Sequence, residues 1–367
     1  MSIAVLAFLL AGLVLLVLGA EALVRGASRL ATLVGISPLI IGLTVVAYGT
    51  SAPEMSVSII ASFSGRADIA LGNVVGSNIF NVLLILGLSS IIAPLVVSQQ
   101  LIRLDVPIMI GVSILTLFFG LDGTINRSDG VVLFIGGIVY TGFLLYQSQR
   151  QSVDAALDEY SGENGQPQTA SLQQWLINLG FIAVGLVALV VGSRWLVNSA
   201  TAIAQAFGLS ELIIGLTIVA AGTSLPELAT SAIASLRGER DIAVGNVVGS
   251  NIFNLLAVLG LSSAISPDGV NVSAAALRFD LPVMVAVAIA CLPIFFTGNL
   301  ISRWEGFVFI GYYLAYTTYL ILDATNHASL PIFSSVLLLF AIPLTVITLV
   351  IFTIRALRAR QHKAKSR

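Results

Sequence analysis

The chain has 367 residues, 57% of them hydrophobic and only 10% charged, with a mean hydropathy of +1.02. Soluble domains are about one-quarter charged, so this composition excludes a water-soluble globule. A net charge of −1 gives no field that would draw nucleic acid, and a single cysteine excludes an internal disulfide and any cysteine metal cluster.

Apolar runs near the roughly 20 residues needed to span hydrocarbon recur along the whole chain. The first, 3–24, has no basic segment before it and no small-residue cleavage signal after it, so it reads as a retained helix and not a removed signal peptide. Further spans are expected at 37–63, 70–95, 103–120 and 129–147. Hydropathy then collapses over a polar linker at 148–172, whose acids Asp154, Asp158, Glu159 and Glu163 read as a solvated face. Five more spans follow at 174–197, 211–236, 243–265, 279–297 and 304–322, then an eleventh at 331–354 and a basic tail from Arg355. Cys291 lies within an apolar run and reads as an inert buried thiol.

Lysine and arginine orient the spans. With the N-terminus outside, thirteen of them fall on inside loops and the tail, against Arg66, Arg127, Arg194 and Arg278 outside. The expected placement is a multi-pass protein of the cell (inner) membrane, N-terminus outside and C-terminus cytoplasmic.

Residues 42–86 and 215–259 are a duplication, identical at thirty of 45 positions without a gap. The offset of 173 residues contains five spans, an odd number, so the copies cross the membrane in opposite senses. The expected fold is an all-α polytopic membrane protein of two inverted five-helix repeats plus one extra C-terminal transmembrane helix. Its divisions are 1–147, the linker 148–172, 173–323, and 324–367. Inverted repeats place a substrate site near the midplane where the copies meet, built on broken helices.

Each copy carries such a break: Tyr48-Gly-Thr-Ser-Ala-Pro-Glu54 and Ala221-Gly-Thr-Ser-Leu-Pro-Glu227. Pro53 and Pro226 lack an N–H for the carbonyls of Gly49 and Gly222. Carbonyl oxygens around Ala47, Gly49, Ala220 and Gly222 are therefore expected to stand free, which membrane protein tolerates only beside a cavity. A mid-membrane glutamate costs about 2.5–3.5 kcal/mol even on lenient scales and demands a partner. No basic side chain occupies the middle of a span, so a bound cation is the expected partner of Glu54 and Glu227. Thr50 and Ser51 lie within one turn of Glu54. Asn73, Ser77 and Asn81 recur every four residues along one stripe, as do Asn246, Ser250 and Asn254. Two carboxylates among neutral oxygens suit Ca²⁺, a hard ion taking 6–8 oxygens, whereas a site without His or Cys does not suit Zn or Cu.

The motifs GTSAPE…GNVVGSNIFN and GTSLPE…GNVVGSNIFN resemble the α-repeats of the cation/Ca²⁺ exchanger superfamily, nearest its bacterial sodium/calcium antiporter branch. The resemblance covers ten of the eleven spans and implies alternating access. It implies a Ca²⁺ site of Glu54 and Glu227 with Thr50 and Thr223. Flanking Na⁺ sites would use Ala47, Ser51 and Ser250 on one side, Ala220, Ser224 and Ser77 on the other, with Asn81 and Asn254 lining the middle. Some relatives carry Asp where this chain has Asn254, which weakens a K⁺ co-transport reading. Ca²⁺/H⁺ exchange is the alternative within transport. No enzyme motif, cofactor or protein partner is implied; Ca²⁺ and Na⁺ are substrates and the lipid bilayer is the setting.

Plainer roles compete for several residues. Glu54 and Glu227 could be neutral acids bonded between helices. Asn73, Asn78, Asn246 and Asn251 could be interhelical glue, and Gly72, Gly76, Gly245 and Gly249 close-packing points. Glu21 and Arg25 read as an interfacial pair, and Asp68 and Asp241 as helix N-caps with ion attraction second.

Overall fold

The computed structural model describes residues 3–161, 171–208, 210–296, 298–351 and 354; the side chains of 150–161, Glu211, Leu212, Leu216 and Ala220 are outside that description. The tail beyond 354 and the linker residues 162–170, Glu163 among them, also lie outside the described residues.

Helix α1 covers Ile3–Val34. Then come α2 (Pro38–Thr50), α3 (Ala52–Phe63), α4 (Asp68–Ile92), α5 (Leu101–Asp122) and α6 (Arg127–Ser161). The second half repeats the order: α7 (Leu172–Ala206), α8 (211–222), α9 (Leu225–Leu236), α10 (Arg240–Ile265), α11 (Ala276–Phe296) and α12 (Arg303–Ala324). A last helix, α13, covers Leu330–Ile351. Among the described residues nine helices are long and apolar enough to cross a membrane. The other two expected spans, 37–63 and 211–236, are the interrupted pairs α2–α3 and α8–α9. The chain is a polytopic all-α membrane protein.

The linker is less irregular than its polarity suggests, because α6 continues through Ser161 and α7 begins at Leu172 behind a Ser171 capping box. Asp68 and Asp241 do not cap. They stand in the first turns of α4 and α10, where an acid still complements the helix dipole. Cys291 is buried, its Sγ donating to the Val287 carbonyl.

Two short ribbons join the halves. Strand β1 (Leu95–Val96) pairs antiparallel with β4 (Leu300–Ile301), and β2 (Thr124–Ile125) with β3 (Val270–Asn271). Each pair takes one strand from each half, so one ribbon staples the halves at each end. Helices α4 and α10 form the centre, and α10 is the most enclosed span of the molecule. Helices α1 and α7 pack along each other on one flank. A Cβ at Gly12 would lie 2.8 Å from the Gly192 carbonyl oxygen, and one at Gly19 2.9 Å from that of Gly185.

The two copies are not packed alike. On α10, a Cβ at Gly249 would lie 2.7 Å from Leu43 O and 2.8 Å from Ala47 Cβ of α2. On α4 the equivalent Gly72 and Gly76 have nothing within 4 Å. Those two are therefore not packing points here, while Gly245 and Gly249 are. Helix α1 also lies along α9, with no comparable run of α7 along α3. One mouth is drawn shut, and on the other the face of α4 at Gly72 and Gly76 is left more open than its equivalent on α10.

Candidate functional site

Both breaks fall on a serine. Ser51 (φ −81°, ψ 9°) divides α2 from α3, and Ser224 (φ −89°, ψ 8°) divides α8 from α9. Pro53 and Pro226 follow in the first turn of the new helix, where a missing N–H costs nothing. That geometry puts Glu54 and Glu227 in first turns too, facing the positive ends of α3 and α9. Both glutamates are fully buried, at 0% exposure.

The expectation of free carbonyls needs correction at Ala47 and Gly222. The Ala47 oxygen accepts from Ser51 N–H at 3.0 Å, from Thr50 Oγ1 at 3.3 Å and from Ser250 Oγ at 3.5 Å. The Gly222 oxygen accepts from Ser193 Oγ at 2.8 Å. At Gly222 the Ser193 hydroxyl takes the place of the bond Pro226 cannot make, while Ala47 keeps its backbone bond and gains hydroxyls that an ion would have to displace.

The two repeats clasp each other across the break. Ser51 Oγ donates to Glu227 Oε1 at 2.8 Å, and Ser224 Oγ donates to Glu54 Oε1 at 2.9 Å, with Ser77 Oγ adding a bond of 3.4 Å to the same oxygen. In each carboxylate Oε1 is thus held by the other copy's serine, and Oε2 has no hydrogen-bond partner. The amides repeat the pattern. Asn81 Nδ2 donates to Asn251 Oδ1 at 2.9 Å and Asn254 Nδ2 to Asn78 Oδ1 at 3.2 Å, leaving Asn81 Oδ1 and Asn254 Oδ1 buried and unpartnered. Asn78 and Asn251 also donate to each other's main-chain carbonyls, at 3.1 and 3.3 Å. Those two are glue. Asn81 and Asn254 open new π turns at Asn81–Leu86 and Asn254–Leu259, a local widening of the helix common at functional sites.

Of the twelve expected residues, eleven have described side chains, and those bond into one network or stand beside it. Thr50 and Thr223 reach across to Asn246 and Asn73, at 3.1 and 3.2 Å. Ala47 and Ser250 meet through the carbonyl named above. Ser77 reaches Glu54, and the side chain of Ala220 is outside the described residues. Ser58, Ser231 and Ser193 join the network without having been singled out. The signal for the first two was present, since Ser58 and Ser231 occupy the same place in both copies. Among the described residues no cluster of three or more His, Cys, Asp or Glu occurs. The site has two carboxylates, and neutral oxygen must supply the rest.

A family model described as "Sodium/calcium exchanger protein" matches residues 4–147 and 177–322. The chain belongs to the sodium/calcium exchanger family. The two matched blocks leave out the whole linker and all of α13, so the family core is the duplicated part. A putative antiporter, CaxA of Alkalimonas amylolytica, is 44% identical over 85% of this chain and 98% of its own length. The sodium/calcium exchanger MaX1 of Methanosarcina acetivorans is 32% identical over 84% of this chain and 96% of its own. The solved structure of the sodium-calcium exchanger NCX_Mj soaked with zero Na⁺ and Ca²⁺ aligns with a TM-score of 0.72 and 32% identity, over 86% of this chain and 98% of that one. This family member is a multi-pass membrane transporter of the antiport kind.

Proposed function

We propose that this family member exchanges Ca²⁺ for Na⁺ by alternating access. Glu54 and Glu227 bind the ions, and Thr50, Thr223, Ala47, Ala220, Ser51, Ser224, Ser77, Ser250, Asn81 and Asn254 supply neutral oxygens or hold the carboxylates. The observation that carries the reading is a set of four buried oxygens without a partner: Glu54 Oε2, Glu227 Oε2, Asn81 Oδ1 and Asn254 Oδ1. A buried unpaired acceptor costs about 1–3 kcal/mol, more when charged. Four of them, two from each copy, are a strong demand for a cation, and oxygen of this kind suits Ca²⁺.

Antiport follows from charge. The empty pair of carboxylates is costly to enclose in a low dielectric. Either one Ca²⁺ or several Na⁺ neutralise it, and both compete for the same oxygens. With three Na⁺ the enclosed site would keep a positive charge that Ca²⁺ leaves absent, so exchange would be electrogenic. The neutral Asn254 gives no third carboxylate for K⁺. The lysine and arginine distribution supports a cell (inner) membrane location with the N-terminus outside and the C-terminus cytoplasmic.

Proteoliposomes test the reading. A Na⁺ gradient at fixed pH is expected to drive Ca²⁺ uptake, with Glu54→Gln and Glu227→Gln each abolishing it. Uptake driven equally by a pH gradient without Na⁺ would instead identify Ca²⁺/H⁺ exchange, and near-normal flux in either mutant would refute the assignment of the site.

A further inference from the structure

Asn73 and Asn246 stand apart from the unpartnered asparagines, because every polar atom of their amides is engaged. Asn246 Nδ2 donates to the Glu227 main-chain oxygen at 3.3 Å and to Ser231 Oγ at 2.9 Å, while Oδ1 accepts from Thr50 Oγ1 at 3.1 Å. Asn73 mirrors it. Its Nδ2 donates to the Glu54 main-chain oxygen at 3.1 Å and to Ser58 Oγ at 3.0 Å, and its Oδ1 accepts from Thr223 Oγ1 at 3.2 Å.

Each amide therefore links the backbone of its own copy's glutamate to the threonine beside the other copy's break. Both amide donors are spent inside one repeat and the acceptor is spent on the other. The two links cross the pseudo-twofold axis, so the spacing of Glu54 and Glu227 is set from both sides. In a close-packed interior a fixed spacing of carboxylates is a fixed cavity size, and cavity size with ligand rigidity separates one cation from another.

We propose that Asn73 and Asn246 are specificity-determining positioning residues: two crossed amide clamps that fix the distance between the carboxylates and so tune the site to the size of Ca²⁺. They act through Glu54, Glu227, Thr50 and Thr223 and do not touch the ion. The proposal rests on the antiport reading for the identity of the ion.

The test is a set of double-mutant cycles on Ca²⁺ and Ba²⁺ binding, measured by equilibrium dialysis on purified full-length protein, with melting temperature recorded alongside. Asn246→Ala and Thr50→Val are each expected to weaken Ca²⁺ binding about tenfold, the scale of one buried hydrogen bond. Combined, they should cost little more than either alone, because they break the same link. Asn73→Ala with Thr50→Val should multiply to about a hundredfold. The preference for Ca²⁺ over Ba²⁺ should fall severalfold in both asparagine variants, and Thr50→Ser should restore it where Thr50→Val loses it. Multiplying effects of Asn246→Ala and Thr50→Val, or variants that lose melting temperature with the Ca²⁺/Ba²⁺ ratio intact, would overturn the clamps. If Asn246→Ala does not fold, Asn73→Ala, which removes the mirror clamp without touching the ion, decides by the same ratio. Wild-type protein that binds no Ca²⁺ would instead bring down the antiport reading, and the clamps' role in ion choice with it.

Discussion

Single side chains carry the chemistry because the carbonyls of Ala47 and Gly222 at the breaks are already bonded. Ser51 and Ser224 each serve twice: their backbones make the break, and their hydroxyls clasp the glutamate of the opposite copy. Replacing Ser51 by alanine removes the only hydrogen bond described to Glu227 Oε1, while Glu54 Oε1 keeps Ser77 after Ser224→Ala. Ser51→Ala is therefore expected to be the more damaging of the two, weakening apparent Ca²⁺ affinity about tenfold. Ca²⁺ concentration dependence of uptake in proteoliposomes checks this, and equal effects would contradict it. Pattern at this scale was legible in the sequence, since Pro-Glu after Gly-Thr-Ser appears in both copies. Which oxygen would be held and which left free was not, because that depends on a partner some 170 residues away.

At the scale of elements, equivalent helices meet different neighbours. Helix α10 lies against α2 so closely that a methyl at Gly249 would strike backbone and Ala47, whereas Gly76 on α4 faces open space. Overpacking of this kind costs about 1–3 kcal/mol. Gly249→Ala is thus expected to lower the melting temperature in this conformation. Gly76→Ala should leave stability unchanged yet slow exchange, because alternating access would bring α4 and α8 into the contact α10 and α2 make here. Melting curves and turnover, measured on both variants, check the pair together. A Gly76→Ala protein that exchanges at the wild-type rate would speak against that inversion of packing.

For the whole molecule, the ion pairs among the described residues tie the closed mouth. Glu21 of α1 pairs with Arg25 at 2.9 Å and with Arg237 at the end of α9, and Ser28 Oγ donates to Glu239 Oε1 at 2.6 Å. The expected interfacial pair of Glu21 and Arg25 is thus part of a tie between halves. The positions equivalent to Glu21 and Arg237 are Arg194 and Ser64, and those equivalent to Ser28 and Glu239 are Thr201 and Arg66, so the same ion pair cannot form there. An exposed ion pair contributes about 0.2–1 kcal/mol, enough for a few-fold shift. Arg237→Ala is expected to raise, a few-fold and most at low salt, the rate at which a cysteine at Ala234 in a Cys291→Ala background reacts with a soluble maleimide. No change in that rate would show the tie to be incidental.

Sequence alone determined the membrane setting, the duplication, the opposed threading of the copies and the two glutamates, because hydropathy, residue identity and span count are local and additive. Tertiary structure alone decided the crossed serine and asparagine bonds, the four unpartnered oxygens and which mouth is shut. The decapeptide GNVVGSNIFN occurs unchanged at 72–81 and 245–254, yet Gly245, Asn246 and Gly249 are buried while Gly72 is exposed and Asn73 and Gly76 are half-buried. Identical sequences cannot encode a difference between themselves. That difference comes from the helices packed against them, which is a property of the assembled fold.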